Sequence, residues 1–317
     1  MRTFPRRHLL LASAGTLALG GCSRRPPAPK PMVSIARAPG YTQEVYGIVR
    51  RLLSELHVDV RGKRILLKPN LVNVDPAAPI NTHPLVVHAA LEAFRALGAA
   101  EVRIGEGPGL RRDTLSLADE AGYFNAIPGF ERNFTDLNLD EISLVRLRQR
   151  VSRLESLYLP RTALGADLVV SMPKMKTHHW AAATLGMKNM FGMVPGGIYG
   201  WPKNILHWAG VDGAIADIYR VFPRVFTIVD GIVGMEGNGP IKGRPKTAGV
   251  IVAGSDTVAV DATCCRIMGI DPQKVRYLEL VSERGQLAED GVRQIGEPLA
   301  QVKTRFDLLP EFDSVRL

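Results

Sequence analysis

Cysteine is nearly missing from this chain: there are three in 317 residues. That excludes a disulfide framework, and without Cys-x-x-Cys spacing it excludes a tetrathiolate metal site, so no intrinsic iron–sulfur cluster is expected. Aromatic residues make up only 6% of the chain, so a core must rest on aliphatic side chains within a hydrophobic share of 46%. No apolar run reaches the ~20 residues of a membrane-spanning helix. Acidic residues are outnumbered, and the formal net charge is +9. Because no basic helix interleaved with aromatics accompanies that charge, nucleic acid is not an expected partner. Small anions and lipid headgroups suit it better.

Much of the surplus charge sits at the N-terminus. Arg2, Arg6 and Arg7 precede an apolar stretch, Leu9 to Leu19, and small residues lead to Cys22. That order reads as a secretory signal. Arg6-Arg7-His8-Leu9-Leu10 resembles a twin-arginine export signal, and Leu19-Gly20-Gly21-Cys22 resembles a lipobox. The expectation is a signal over residues 1–21, lipidation at Cys22, and a Pro- and Arg-rich tether over 22–31. It places the protein outside the cytoplasm, lipid-anchored at the cell envelope on the periplasmic side or at an outer membrane.

From residue 32 to 317 the pattern predicts one α/β domain: a mostly parallel sheet, helices on both faces, and a site at the carboxyl edge of the strands. Strands are expected at 32–38, 64–68, 101–105, 167–172, 225–229 and 249–253. Helices are expected at 42–56, 84–97 with Thr82 as its cap, 114–123 capped by Asp113, 210–221, 257–268 and 272–284. The stretch 134–159 reads as strands and turns without a helix, and 180–208 as glycine-rich and irregular. Cys264 and Cys265 lie in an apolar helical pattern and are expected to be buried packing residues.

Five unusual loops begin where apolar strands end: Lys68-Pro-Asn70, Gly105-Glu-Gly-Pro-Gly109, Lys174-Met-Lys-Thr-His-His179, Asp230 to Pro240, and Ala253-Gly-Ser-Asp-Thr257. In a parallel α/β sheet such loops gather on one edge, where ligands bind. Lysines crowded into one loop repel each other, so an anion or carboxylates must sit among them. Lys68, Asn70, Lys174, Lys188 and Asn189 are therefore expected to bind a small carboxylate or phosphate. The glycines of the second loop free backbone N–H groups to approach an anion.

His178 is the expected general acid or base, assisted by Lys176, with Asp230 or Glu236 orienting it or holding a metal. Glu236 and Asp261, with Glu106 and Asp230 as further carboxylates, either neutralise the lysines or hold a divalent cation such as Mg²⁺, alone or in a mixed site with His178. Of the adjacent His178 and His179, one is expected to face the cleft. His83 is a weaker candidate, while His207, Trp180, Trp201 and Trp208 are expected to pack.

These residues carry a resemblance to the domain of unknown function 362 (DUF362) family. It rests on Lys68-Pro-Asn70, Thr82-His-Pro84, Gly105-Glu-Gly107, Pro173-Lys-Met-Lys-Thr-His178, Lys188-Asn189 with Gly192, Asp230-Gly231 and Asp256-x-x-Ala-x-Asp261. The resemblance spans about residues 32–290 and implies a shared site. It also implies a distant architectural similarity to the nickel-dependent lactate racemase group. Many members carry a ferredoxin-like cysteine segment, which this sequence does not have. Three functions stay open: an enzyme on a small anionic substrate, an anion-binding lipoprotein, or an accessory partner of an exported redox system. No protein partner is named by the sequence.

Overall fold

The computed structural model describes residues 29–317; the expected signal, Cys22 and most of the tether lie outside the described residues. The described chain opens with β1 (Met32–Arg37), α1 (Glu44–Glu55), β2 (Arg64–Pro69), α2 (Pro84–Ala96), β3 (Glu101–Glu106) and α3 (Thr114–Glu120). In α1 the buried residues are Val45, Val49, Leu52 and Leu53, one stripe of a 3.6-residue period. Each such side chain contributes about 1.5–3 kcal/mol when fully buried. A short β4 (Phe134–Asp136) then closes that edge of the sheet, and β5 (Ile142–Arg146) and β6 (Ser156–Pro160) form a separate antiparallel hairpin.

The second half supplies β7 (Leu168–Met172), β8 (Lys174–His178), β9 (Ala182–Thr184), the single turn α4 (Gly186–Asn189), α5 (Val211–Val221), β10 (Val225–Glu236), β11 (Arg244–Gly254), α6 (Thr257–Met268) and β12 (Arg293–Gly296). The main path runs β12-β1-β11-β10-β7-β2-β3-β4. Every neighbouring pair along it is parallel except those made by β11, which runs antiparallel to both β1 and β10. Pro173 has no N–H to continue a ladder, so β7 stops there. The chain resumes as β8, parallel to β10 beyond the end of β7, and β9 folds back on it. One apolar core lies under α1 and α2, and a second packs the other face under α5 and α6. The expected mostly parallel sheet with helices on both faces therefore stands. Among the described residues no helix is long and apolar enough to cross a membrane.

Local details depart from the sequence reading. The cap of α2 is His83, whose Nδ1 accepts from Leu85 N at 3.2 Å. Thr82 is instead drawn into the sheet edge, where its hydroxyl accepts from Asn70 N at 2.9 Å and donates to Met172 O. The helix expected at 272–284 is broken into short turns, because Val275 is extended and Asp271 caps a separate turn before it. The antiparallel course of β11 also corrects the loop argument. Its carboxyl end, Gly254, pairs with Thr227 near the start of β10, so the Ser255-Asp256-Thr257 loop lies on the opposite edge from the other four.

Candidate functional site

Four strand ends meet at one edge, and a cavity of about 220 Å³ opens among them. It is lined by Lys68 and Asn70 at the end of β2, Glu106 to Gly109 at the end of β3, Lys176 and His178 of β8, Pro240 and Ile241 beyond β10, Lys188 of α4, and Lys203 from the irregular segment. Four lysines thus face a cavity whose one acidic lining residue is Glu106. The volume falls below the ~300–1,000 Å³ usual for drug-sized ligands, which suits a smaller molecule.

The floor of the cavity is a locked ion pair. Lys68 Nζ donates to Glu106 Oε2 at 2.6 Å, to Pro69 O at 2.8 Å and to Asn189 Oδ1 at 3.2 Å. Glu106 also accepts from the backbone N–H groups of Leu71 and Gly107. Asn189 returns its Nδ2 to Lys68 O and Ser171 Oγ. A β-carbon at Gly192 would fall on Glu106 Oε1 and Lys68 Nζ, so only glycine lets the backbone lie against the pair. Burial lowers the Lys68 ammonium from its ordinary value, and Glu106 opposes that fall.

The other three lysines have no carboxylate within salt-bridge distance among the described residues. Lys176 donates to Ile80 O at 2.9 Å and Pro240 O at 3.3 Å, and burial followed by Lys188 and Lys174 drives it well below the lysine range. Lys203 donates to Gly107 O at 2.7 Å and Phe191 O at 2.8 Å. Burial brings it to about 7. Lys188 rests over the Phe191 ring, 3.9 Å from its centroid, and burial, then Lys68, brings it to about 7 as well. Cations gathered in a buried site disfavour their own protonation until an anion arrives.

Asp261 accounts for the placement of Lys188. Its two carboxylate oxygens accept from Gly186 N at 2.7 Å and Met187 N at 2.9 Å, holding the first turn of α4. Burial raises this carboxyl to about 7.

Three histidines line the cavity, and His178 and His207 differ in role. His178 Nδ1 accepts from Trp180 N at 3.0 Å, which leaves the proton of the neutral ring on Nε2. Burial, then Lys188, pushes this ring well below the histidine range, so it is a neutral donor. His207 Nδ1 faces Lys203 O at 3.0 Å, which requires the proton there and leaves Nε2 as an acceptor. Burial and Lys188 lower it to about 4. His179 also lines the cavity, contrary to the expected alternation, because the extended backbone of β8 ends at His178. Asn70 and Thr184, both residues of the cavity wall, each carry a side-chain oxygen, Asn70 Oδ1 and Thr184 Oγ1, that is buried without a hydrogen-bond partner in the protein.

Several expected site residues lie elsewhere. Lys174 and Asp230 do not line the cavity. They meet at 2.6 Å in a separate buried network, where Tyr41 donates to Asp230 and His83 N donates to its other oxygen. Tyr41 stacks on the His83 ring at 3.8 Å. Lys174 is thus neutralised within the protein, and Asp230 does not contact His178. Glu236 pairs with Arg244 and Lys246 on the β10–β11 hairpin. Glu236 and Asp261 are therefore held apart by different partners, and among the described residues no group of three His, Cys, Asp or Glu is arranged to hold a metal.

Lys203 and Thr184 escaped the sequence reading, and His207, expected only to pack, lines the cavity. Lys203 sits in a left-handed backbone conformation with φ 66°, inside the segment read as irregular. Its only sequence signal was a lone lysine among aromatic residues. Trp180 and Trp208 are exposed rather than packed in the core.

The model of a family described as a domain of unknown function (DUF362) matches residues 65–266. A thylakoid-associated protein, sll1697 of Synechocystis sp., is 30% identical over 223 residues, 68% of this chain and 65% of that protein. The chain thus spans a little under two thirds of that relative. Among solved structures, the lactate racemase apoprotein of Thermoanaerobacterium thermosaccharolyticum gives a TM-score of 0.47 at 14% identity, over 76% of this chain and 57% of that one. A Thermotoga maritima protein gives 0.38 at 15%, over 69% and 57%. Both likenesses are too remote to bear on chemistry.

Proposed function

The chain belongs to the DUF362 family, and from that premise we propose that it is an enzyme acting by proton transfer on a small carboxylate or phosphate held in the cavity. One observation carries the reading: four buried lysines line one cavity with a single glutamate, and two residues of its wall, Asn70 and Thr184, hold buried side-chain oxygens without a partner. A buried polar atom without a partner costs about 1–3 kcal/mol, so in this proposal a small side-chain rotation of Asn70 or Thr184 on binding turns its oxygen to the ligand.

In this reading Lys176 and Lys203 bind the anion. His178 donates from Nε2 to an oxygen of the substrate. Lys188 is the acid–base group, because a catalytic proton carrier works best with a pKa near the ambient pH, and its value is about 7. Lys68 and Asn189 hold the floor in shape. The anchor belongs to the same proposal: export, and lipidation at Cys22 on the envelope side of a membrane. The Synechocystis relative is itself named as thylakoid-associated.

The test is deuterium exchange. The purified chain is incubated in D₂O with small carboxylates and phosphate esters that its melting temperature shows to bind, and carbon-bound deuterium is followed by NMR. Incorporation that Lys188→Met abolishes while binding persists supports the enzyme. Tight binding with no exchange and no product for any bound ligand would leave an anion-binding lipoprotein instead.

A further inference from the structure

The β5–β6 hairpin stands apart from the main sheet and presents an outward face of unusual make-up. Side chains alternate along a strand, so Ile142, Leu144 and Arg146 share one face. Tyr158 lies directly opposite Leu144 and therefore joins them. That face is open to solvent: Leu144 is 52% and Tyr158 41% exposed. The same segment carries Arg146, Arg148, Arg150 and Arg153 against a single acidic residue, Glu155. Glu155 pairs with Arg150; the side chains of Arg146, Arg148 and Arg153 make no ion pair with the described residues.

The patch continues toward the cavity. Val151, exposed midway along the hairpin loop, is followed by Ser152, which packs against Gly213 of α5, and Arg153 N donates to Ala209 O at 3.1 Å. Next to Ala209 stands Trp208, at 73% the most exposed aromatic residue of the described chain. The preceding residue, His207, lines the cavity, and Trp180 packs edge-on against it with ring centroids 4.8 Å apart. An apolar and basic surface therefore runs from the hairpin to the rim of the cavity.

We propose that this surface, the outer face of β5–β6 together with Trp208, docks on a bilayer rich in anionic lipid, with the cavity mouth beside the headgroups. Unpaired arginines complement the negative surface, their long stems reach past the interface, and Leu144, Tyr158 and Trp208 enter the headgroup–acyl boundary. Nucleic acid would leave those exposed aliphatic side chains unused, whereas a bilayer uses both components. The inference is independent of lipidation at Cys22: an acyl chain anchors one end, and this face sets orientation.

The experiment follows Trp208 in the full chain added to vesicles of phosphatidylcholine alone, or of phosphatidylcholine with phosphatidylglycerol, each with brominated acyl chains. Bromine quenches tryptophan only at the depth of the chains, so the reading does not depend on how residues 1–28 attach. The expected result is quenching in the anionic vesicles, reversed by high salt and removed in Trp208→Phe. In an Arg146→Glu/Arg148→Glu/Arg153→Glu variant, partitioning of this face should weaken by about a hundredfold. Should that variant misfold, the salt reversal in the unaltered protein remains a full test. Equal quenching in neutral and anionic vesicles, or none lost in Trp208→Phe, overturns the proposal, and no quenching in either vesicle overturns it in favour of an acidic protein partner.

Discussion

Lys68 Nζ and Glu106 Oε2 stand 2.6 Å apart at the carboxyl ends of adjacent parallel strands, and neither side chain reaches solvent. The pair closes the floor of the cavity and consumes the only carboxylate in it, which is why the remaining lysines are available to an anion. Removing one member of a buried pair leaves an uncompensated charge. Glu106→Gln should therefore cost about 3–5 kcal/mol, measured by chemical denaturation. A loss within error would mean that Lys68 is neutral in the folded protein.

The same pair constrains Gly192. A methyl group there meets both Lys68 and Glu106, which are themselves fixed by further hydrogen bonds. Gly192→Ala should destabilise by about 1–3 kcal/mol and weaken anion binding as well. Unchanged binding in this variant would show that the floor tolerates displacement.

Thr184 gives a test with opposite signs for stability and binding. Its hydroxyl is buried without a partner in the cavity wall, so Thr184→Val removes an unsatisfied group at nearly constant volume. The melting temperature should hold or rise, while anion affinity falls about tenfold, the worth of one hydrogen bond to a charged group. A variant that melts early yet binds normally would assign Thr184 to structure alone.

The lysines also set a pH signature. Lys188 and Lys203 have pKa values of about 7 when folded, well below an exposed lysine near 10.4. Between these values the unfolded chain holds more protons than the folded one, so stability should rise as pH goes from about 7 toward 10. Below about 7 both states are protonated, and the lysines contribute no further slope. Anion binding should run the other way: it draws protons onto the lysines, so affinity falls above about pH 7. Calorimetry in buffers of different ionisation enthalpy reads that uptake directly. Proton release on binding would refute the assignment.

Much of the fold and part of the site were legible from local patterns. β-branched runs ending in polar loops announced the strands, and the stripe of Val45, Val49, Leu52 and Leu53 announced α1, because both periodicities depend on near neighbours alone. Lys68, Lys176, Lys188 and His178 were found because a strand that ends in cations is poor core material. The parallel order of most strands was expected for the same reason, since helices intervene between them. What tertiary structure decided was pairing over long separations. β11 turned antiparallel and carried the Asp256 loop to the far edge, Lys174 found Asp230 across β8 and β10, and Lys203 was swung into the cavity from a segment without periodicity. Which carboxylate neutralises which lysine is a property of strand direction and register, and neither is encoded in the residues immediately beside them.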